Sequence, residues 1–186
     1  MAENTLIEAF EHYRNQQFIE DNSKLLELFD QLDPVSCDEI YSRWAGASFN
    51  TSHWAVQTLT DLKWYGKWFQ SKMNCAPLIC FNEEGDLFSN QIFGGEGILW
   101  MAEFRDRVSA TLSYDSQPIF NHFRRVDENT LMGLMHEKRV LTGIEIVPEN
   151  PYFFFYLRRV AEFPAKLVPH NQADLWPAPR RVHYGV

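Results

Sequence analysis

Several things are scarce in these 186 residues, and each scarcity excludes something. The start, MAENTLIEAFEHYRNQQ, has no basic segment leading into an apolar run, so no secretory signal is read there. No apolar stretch approaches the roughly 20 residues a membrane-spanning helix needs. The chain is therefore expected to be cytoplasmic, with no integral membrane segment. Cysteine is limited to Cys37, Cys75 and Cys80. That number and spacing match no zinc pattern and suit reduced thiols, so no metal and no cofactor are expected. No serine or cysteine stands in a recognisable nucleophile motif, which leaves hydrolysis without support. Internal repeats, low-complexity blocks and linkers are also lacking, so residues 1–186 are read as one domain.

Positive charge is in deficit. The formal net charge is −8, and such a surface repels phosphate backbones, so nucleic acid is not an expected partner. What is abundant is aromatic: Phe 15, Tyr 7 and Trp 6. Each buried ring contributes about 1.5–3 kcal/mol through area removed from water. A surplus of rings either thickens a core or lines a cavity for an apolar ligand.

Hydrophobic periodicity organises the chain into helices followed by strands. Leu6, Phe10 and Tyr13 fall on one helical face over residues 4–18, and Asn22 or Ser23 can cap a second helix carrying Leu25, Leu28 and Phe29. These helices occupy residues 1–35. Ser36 and Glu39 have capping-box spacing. In segment 36–72, Gly46 is expected to turn the chain sharply after Trp44. A helix capped by Thr51 or Ser52 is expected to run through Val56, Leu59 and Leu62 and break at Gly66.

From residue 73 to 163 the period is two, as antiparallel strands require. Val108, Ala110, Leu112 and Tyr114 alternate with Ser109, Thr111 and Ser113. Ile119, Asn121 and Phe123 share one face of the next strand, and Phe120, His122, Arg124 and Val126 share the other. Residues 152–160, YFFFYLRRV, suit a strand buried on both faces. Residues 139–151 read as a loop, and the proline-bearing tail 164–186 is expected to wrap the surface. The class is α+β: N-terminal helices packed on an antiparallel, calycin-like (lipocalin-like) β-barrel, whose closure removes exposed edges.

Trp44, His53, Trp64, Tyr114, His122 and Arg124 are the candidates for lining or gating a cavity. His122 and Arg124 could hold a polar head group if their face is the interior. An Asp115–His122 pair, or His53, could do acid–base chemistry. The plainer readings are a backbone-bonded histidine at a helix start for His53, and a surface arginine and turn aspartate for Arg124 and Asp115. His136 with His122 and Asp115 makes a poor metal set, and Glu145 and Glu149 read as a solvated loop.

SRWAGASFNTSHW (42–54) followed by LKWYGKWF (62–69) resembles the bacterial GXWXG domain. The stretch from Gly97 to Lys138, with YFFFYLRR, is similar to the companion domain of unknown function. Trp44-Ala45-Gly46, His53, Trp64-Tyr65-Gly66-Lys67, Tyr114-Asp115 and His122-Phe123-Arg124 carry the resemblance. Ser42 replaces the first glycine of the family's name, and His136 stands where an aspartate is expected. The resemblance implies no established reaction. A looser similarity to lipocalin-like barrels implies that Arg158 or Arg159, on the last strand, packs on Trp44 and closes the barrel. The resulting expectation is a binder of a small hydrophobic or amphipathic, lipid-like ligand. An enzyme acting on a small hydrophobic substrate and a structural partner-binding module are the alternatives.

Overall fold

The computed structural model describes residues 2–138 and 151–169. The expected loop at 139–150 and the tail beyond 169 lie outside the described residues. Two helices come first, α1 (Ala2–Arg14) and α2 (Ser23–Gln31), followed by the short strand β1 (Asp33–Pro34) and α3 (Cys37–Ile40). The capping box at Ser36 and Glu39 forms as its spacing requires. Then come β2 (Ser42–Ser48), α4 (Trp54–Asp61), β3 (Trp64–Ser71), β4 (Asn74–Phe81) and β5 (Leu87–Ser89). The chain continues as β6 (Gly97–Phe104), β7 (Arg107–Tyr114), β8 (Ile119–Asp127), β9 (Thr130–Glu137) and β10 (Tyr152–Val160).

Eight strands close into an antiparallel barrel. The order is an up-and-down meander, β2-β3-β4-β6-β7-β8-β9-β10, and β10 pairs back onto β2. Closure pairs each barrel strand on both sides, least completely between β4 and β6. β5 adds to one end of β4. β1 pairs with β8, and the next residue, Val35, offers its carbonyl to the Ala110 N–H at a point where β7 and β8 are not paired with each other. At the β4–β6 seam the ladder shrinks to the pair Cys75 and Gly97.

The barrel interior is one apolar cluster that includes Trp44, Phe69, Leu99, Leu112, Phe123 and Phe155. A second cluster lies outside the barrel wall. There Phe10, Leu25 and Phe29 of the two N-terminal helices cover Val126, Met132, Leu134 and Phe154. YFFFYLRRV is accordingly buried on both faces: Phe153, Phe155 and Leu157 inward, Phe154 under the helices. A third cluster packs Phe163 and Leu167 on Tyr65 and Trp68 outside β3.

Segment 42–71 departs from the expected one. Gly46 does not turn the chain; it sits within β2, where a Cβ would come within 2.3 Å of the Trp64 ring. Gly66 does not break a helix. It lies inside β3, and a Cβ there would fall 1.9 Å from the Trp44 carbonyl oxygen. Both glycines were read as backbone breakers, but in both cases the missing side chain makes room for a tryptophan-bearing neighbour strand. The helix cap is His53 rather than Thr51 or Ser52.

Candidate functional site

One strand error in the ladder builds the site. Pro77 sits inside β4 and has no N–H to give to β3. Opposite it, the β3 register shifts between Trp64 and Gly66 and again between Gly66 and Trp68. A bulge reverses the side-chain phase of a strand. Thus Tyr65 packs outward against Phe81 and Phe163, while Lys67, two residues on, points into the barrel.

Lys67 is 3% exposed. Its Nζ donates to the Pro77 carbonyl at 3.1 Å and to Asn121 Oδ1 at 2.9 Å. The rings of Phe155, Trp64 and Tyr114 stand 5.0, 5.5 and 6.0 Å from it. Among the described residues it has no carboxylate partner. Removal from water without a counter-charge pulls its pKa from 10.5 down to about 7. In its charged form Lys67 can only donate, so the amide oxygen of Asn121 then faces Nζ and its NH2 points elsewhere. That Nδ2 is buried and has no hydrogen-bond partner among the described residues.

Both groups line a cavity at one end of the barrel. Its remaining wall is apolar, with Trp54, Leu59, Leu78, Phe93 and Phe153 among the lining side chains. α4 covers it, and Phe93, from the loop that crosses beside the thin β4–β6 seam, flanks it. The free space is about 30 Å³, room for one or two waters. The covering helix is lightly held. Ala55 is its only fully buried residue, and its N-terminal end is tied by Trp54 Nε1–H donating to Glu137 at 3.1 Å.

Of the residues singled out in the sequence, Trp64 and Tyr114 line this cavity. Burial pushes the Tyr114 hydroxyl well above its ordinary range. Trp44 lies deeper in the barrel core, its indole N–H bonded to the Ile40 carbonyl at 2.8 Å. The Arg159 guanidinium lies 4.5 Å over the Trp44 ring, and Arg159 also donates to the Glu39 carbonyl. α3 and this stacked pair thus fill the end of β2 away from α4. Arg158 instead points to Glu11 at 3.7 Å.

His53 is behind the cavity wall rather than on it. Its Nδ1 accepts the Ala55 N–H and its ring packs on Trp54 and Phe153. Burial lowers its pKa to about 4, which keeps it neutral.

His122 and Arg124 do not line the cavity. Ile119, Asn121 and Phe123 hold the inner face of β8; on the other face His122 lies against Phe104 of β6, Arg124 and Val126 lie under the N-terminal helices, and Phe120 is exposed. His122 stacks on Phe104 at 3.8 Å and bonds Thr111 at 3.0 Å; burial foremost lowers its pKa to about 4. Arg124 is fully buried, donates to the Phe123 and Phe104 carbonyls, and lies 4.8 Å over Phe29. Asp115 accepts the Glu96 N–H in an exposed loop. Neither member of the suggested Asp115–His122 acid–base pair faces the cavity, so that geometry fails. Among the described residues no three His, Cys, Asp or Glu side chains are grouped to hold a metal ion.

Sequence reasoning noted Lys67 only as part of a motif and Asn121 only as a face position. The available signal was a lysine between tryptophans in KWYGKWF with a proline in the neighbouring strand.

No curated protein matches the sequence. A crystal structure of a protein from Thermomonospora curvata is similar in fold, with a TM-score of 0.72 and 30% identity over 86% of this chain and 98% of that one. Residues 27–85 match the model of the GXWXG protein and residues 95–159 match DUF4334, a domain of unknown function. This chain belongs to the GXWXG family in its two-part form, with the DUF4334 companion following the GXWXG segment.

Proposed function

We propose that this barrel binds a small hydrophobic or amphipathic ligand in the cavity beneath α4. The observation that carries the reading is the pairing of a strongly apolar, aromatic wall with two convergent polar side chains, Lys67 and Asn121, whose bonding capacity is incompletely used. Binding cavities have that composition: apolar surface for affinity and a few polar groups for orientation. The free space is small, so a ligand of more than a few atoms enters as α4 shifts outward. Trp54 and Leu59 are the lining side chains that move with α4. No helix among the described residues is long and apolar enough to cross a membrane. A cytoplasmic location remains part of this proposal.

Native mass spectrometry of protein purified without added ligand tests it. The expected result is an extra mass that organic extraction removes, or uptake of hexan-1-ol by the bare protein. A bare mass together with no uptake of hexan-1-ol contradicts the reading.

A further inference from the structure

The cavity's polar floor has a definite chemical sense. Lys67 Nζ has three protons and two acceptors, the Pro77 carbonyl and Asn121 Oδ1. Asn121 Nδ2 has two more protons and no acceptor among the described residues, although Asn121 is only 1% exposed. Both side chains line the same cavity. The floor therefore offers donors on both sides of one amide–ammonium contact, and among the described residues the remaining oxygen acceptors on side chains that line the cavity are the neutral hydroxyls of Thr58 and Tyr114. The floor lacks a negative charge, because Lys67 is in no ion pair among the described residues. A buried cation without a counter-charge is costly, and a ligand that brings one removes that cost. A hydroxyl or ketone could accept one of these bonds, whereas a carboxylate accepts on two oxygens and, as a small monoanion, neutralises the single ammonium.

We propose that Lys67 and Asn121 form a carboxylate-binding floor, and that the ligand is a small hydrophobic monocarboxylic acid. This rests on the cavity reading above and names its ligand class. The acid group sits between Nζ and Nδ2, and the apolar part lies against Trp54, Leu59 and Phe153. The groups facing Lys67 leave the charge balance to the ligand. Tyr114 and Cys80 are the titratable neighbours, and burial pushes both up, the thiol to about 12, so both stay protonated. From α4, β8 and β10 the cavity receives Leu59, Asn121 and Phe155, none of which titrates. Glu137 stands at the Trp54 indole, and burial raises its pKa.

The experiment is calorimetric titration of the full chain with hexanoate and, separately, hexan-1-ol. Near pH 6 hexanoate is expected to bind at least about tenfold more tightly than the alcohol. Above pH 7 the hexanoate affinity is expected to fall, approaching about tenfold per pH unit, because binding then requires proton uptake by Lys67. The alcohol should show no such trend. Lys67→Met is expected to erase the preference, read as the ratio of the acid and alcohol affinities. Asn121→Asp, which supplies an internal carboxylate in the same shape, is expected to do the same and does not depend on the first variant folding. Equal binding of acid and alcohol by the natural protein, or a preference that survives either variant, overturns the carboxylate floor while leaving the cavity standing. Binding of neither probe overturns both.

Discussion

Two buried cations lie on opposite faces of the same barrel wall, and they differ in what surrounds them. Arg124 is outside the wall, covered by the N-terminal helices, with a ring over its guanidinium and two carbonyls accepting from it. Lys67 is inside, with rings around it and two acceptors, but it borders open space and an amide whose donor end is unused. Burial alone therefore does not mark a binding group. Arg124 also keeps one buried donor, Nε, without a partner among the described residues, but it does not line the cavity; it is packing that happens to be charged, as a long stem and a planar head allow. Lys67 is a charge left incomplete next to a void.

The largest expected effect breaks the bulge that turns Lys67 inward. Gly66→Ala places a methyl against the Trp44 carbonyl, which cannot move without tearing β2 from β3. A loss of more than about 4 kcal/mol is expected, read as failure to fold or a collapse of the denaturant midpoint.

Acid comes next, and it acts on both faces. His53 and His122 are held at about 4 in the fold, below the ordinary 6.5. The unfolded chain then binds protons that the folded chain refuses. Their contribution is whole above pH 6.5 and is lost as pH falls toward 4, by at most about 3 kcal/mol for each. Thermal melts across that window should fall, and His122→Asn should flatten part of the fall.

Arg124→Ala leaves the Phe123 and Phe104 carbonyls without their charged donor and empties the space over Phe29. A destabilisation of about 2–3 kcal/mol is expected, with hexan-1-ol binding unchanged. Lys67→Met has the opposite sign. Near neutral pH it removes an uncompensated charge and should stabilise by about 1–2 kcal/mol. The folded pKa of about 7 lies below the 10.5 of a free lysine, so between those values the unfolded chain holds a proton that the folded chain has released, and the natural protein's own stability rises with pH until the unfolded lysine also titrates. The advantage of Met should shrink across that range in urea titrations.

The barrel and its helices were legible because both periods are clean. Leu6, Phe10 and Tyr13 at helical spacing, and Ile119, Asn121 and Phe123 at spacing two, fall where the pattern places them. The face of the 119–127 strand was not legible, because His122, Arg124 and Val126 on the outer face are as buried as Ile119, Asn121 and Phe123 on the inner one, with Phe120 alone of these exposed. Alternation shows two faces but cannot say which is inside when both are largely buried and apolar. That is why His122 and Arg124 were candidates and Asn121 was not. Lys67 was hidden for a different reason. In KWYGKWF two glycine-flanking residues two positions apart face opposite ways, because Pro77 on another strand forces a bulge. Local periodicity carries no trace of that distant proline. The plain reading of His53, a histidine bonded to backbone at a helix start, is what the fold displays.

The most direct test of the cavity under α4 is a two-dimensional amide and indole N–H spectrum recorded during titration with hexan-1-ol. The Trp54 and Trp64 indoles, α4, Lys67 and the Asn121 side-chain amide should shift together and saturate at one concentration. Shifts confined instead to Phe104, His122 and Arg124 would place the ligand on the outer face and contradict the account.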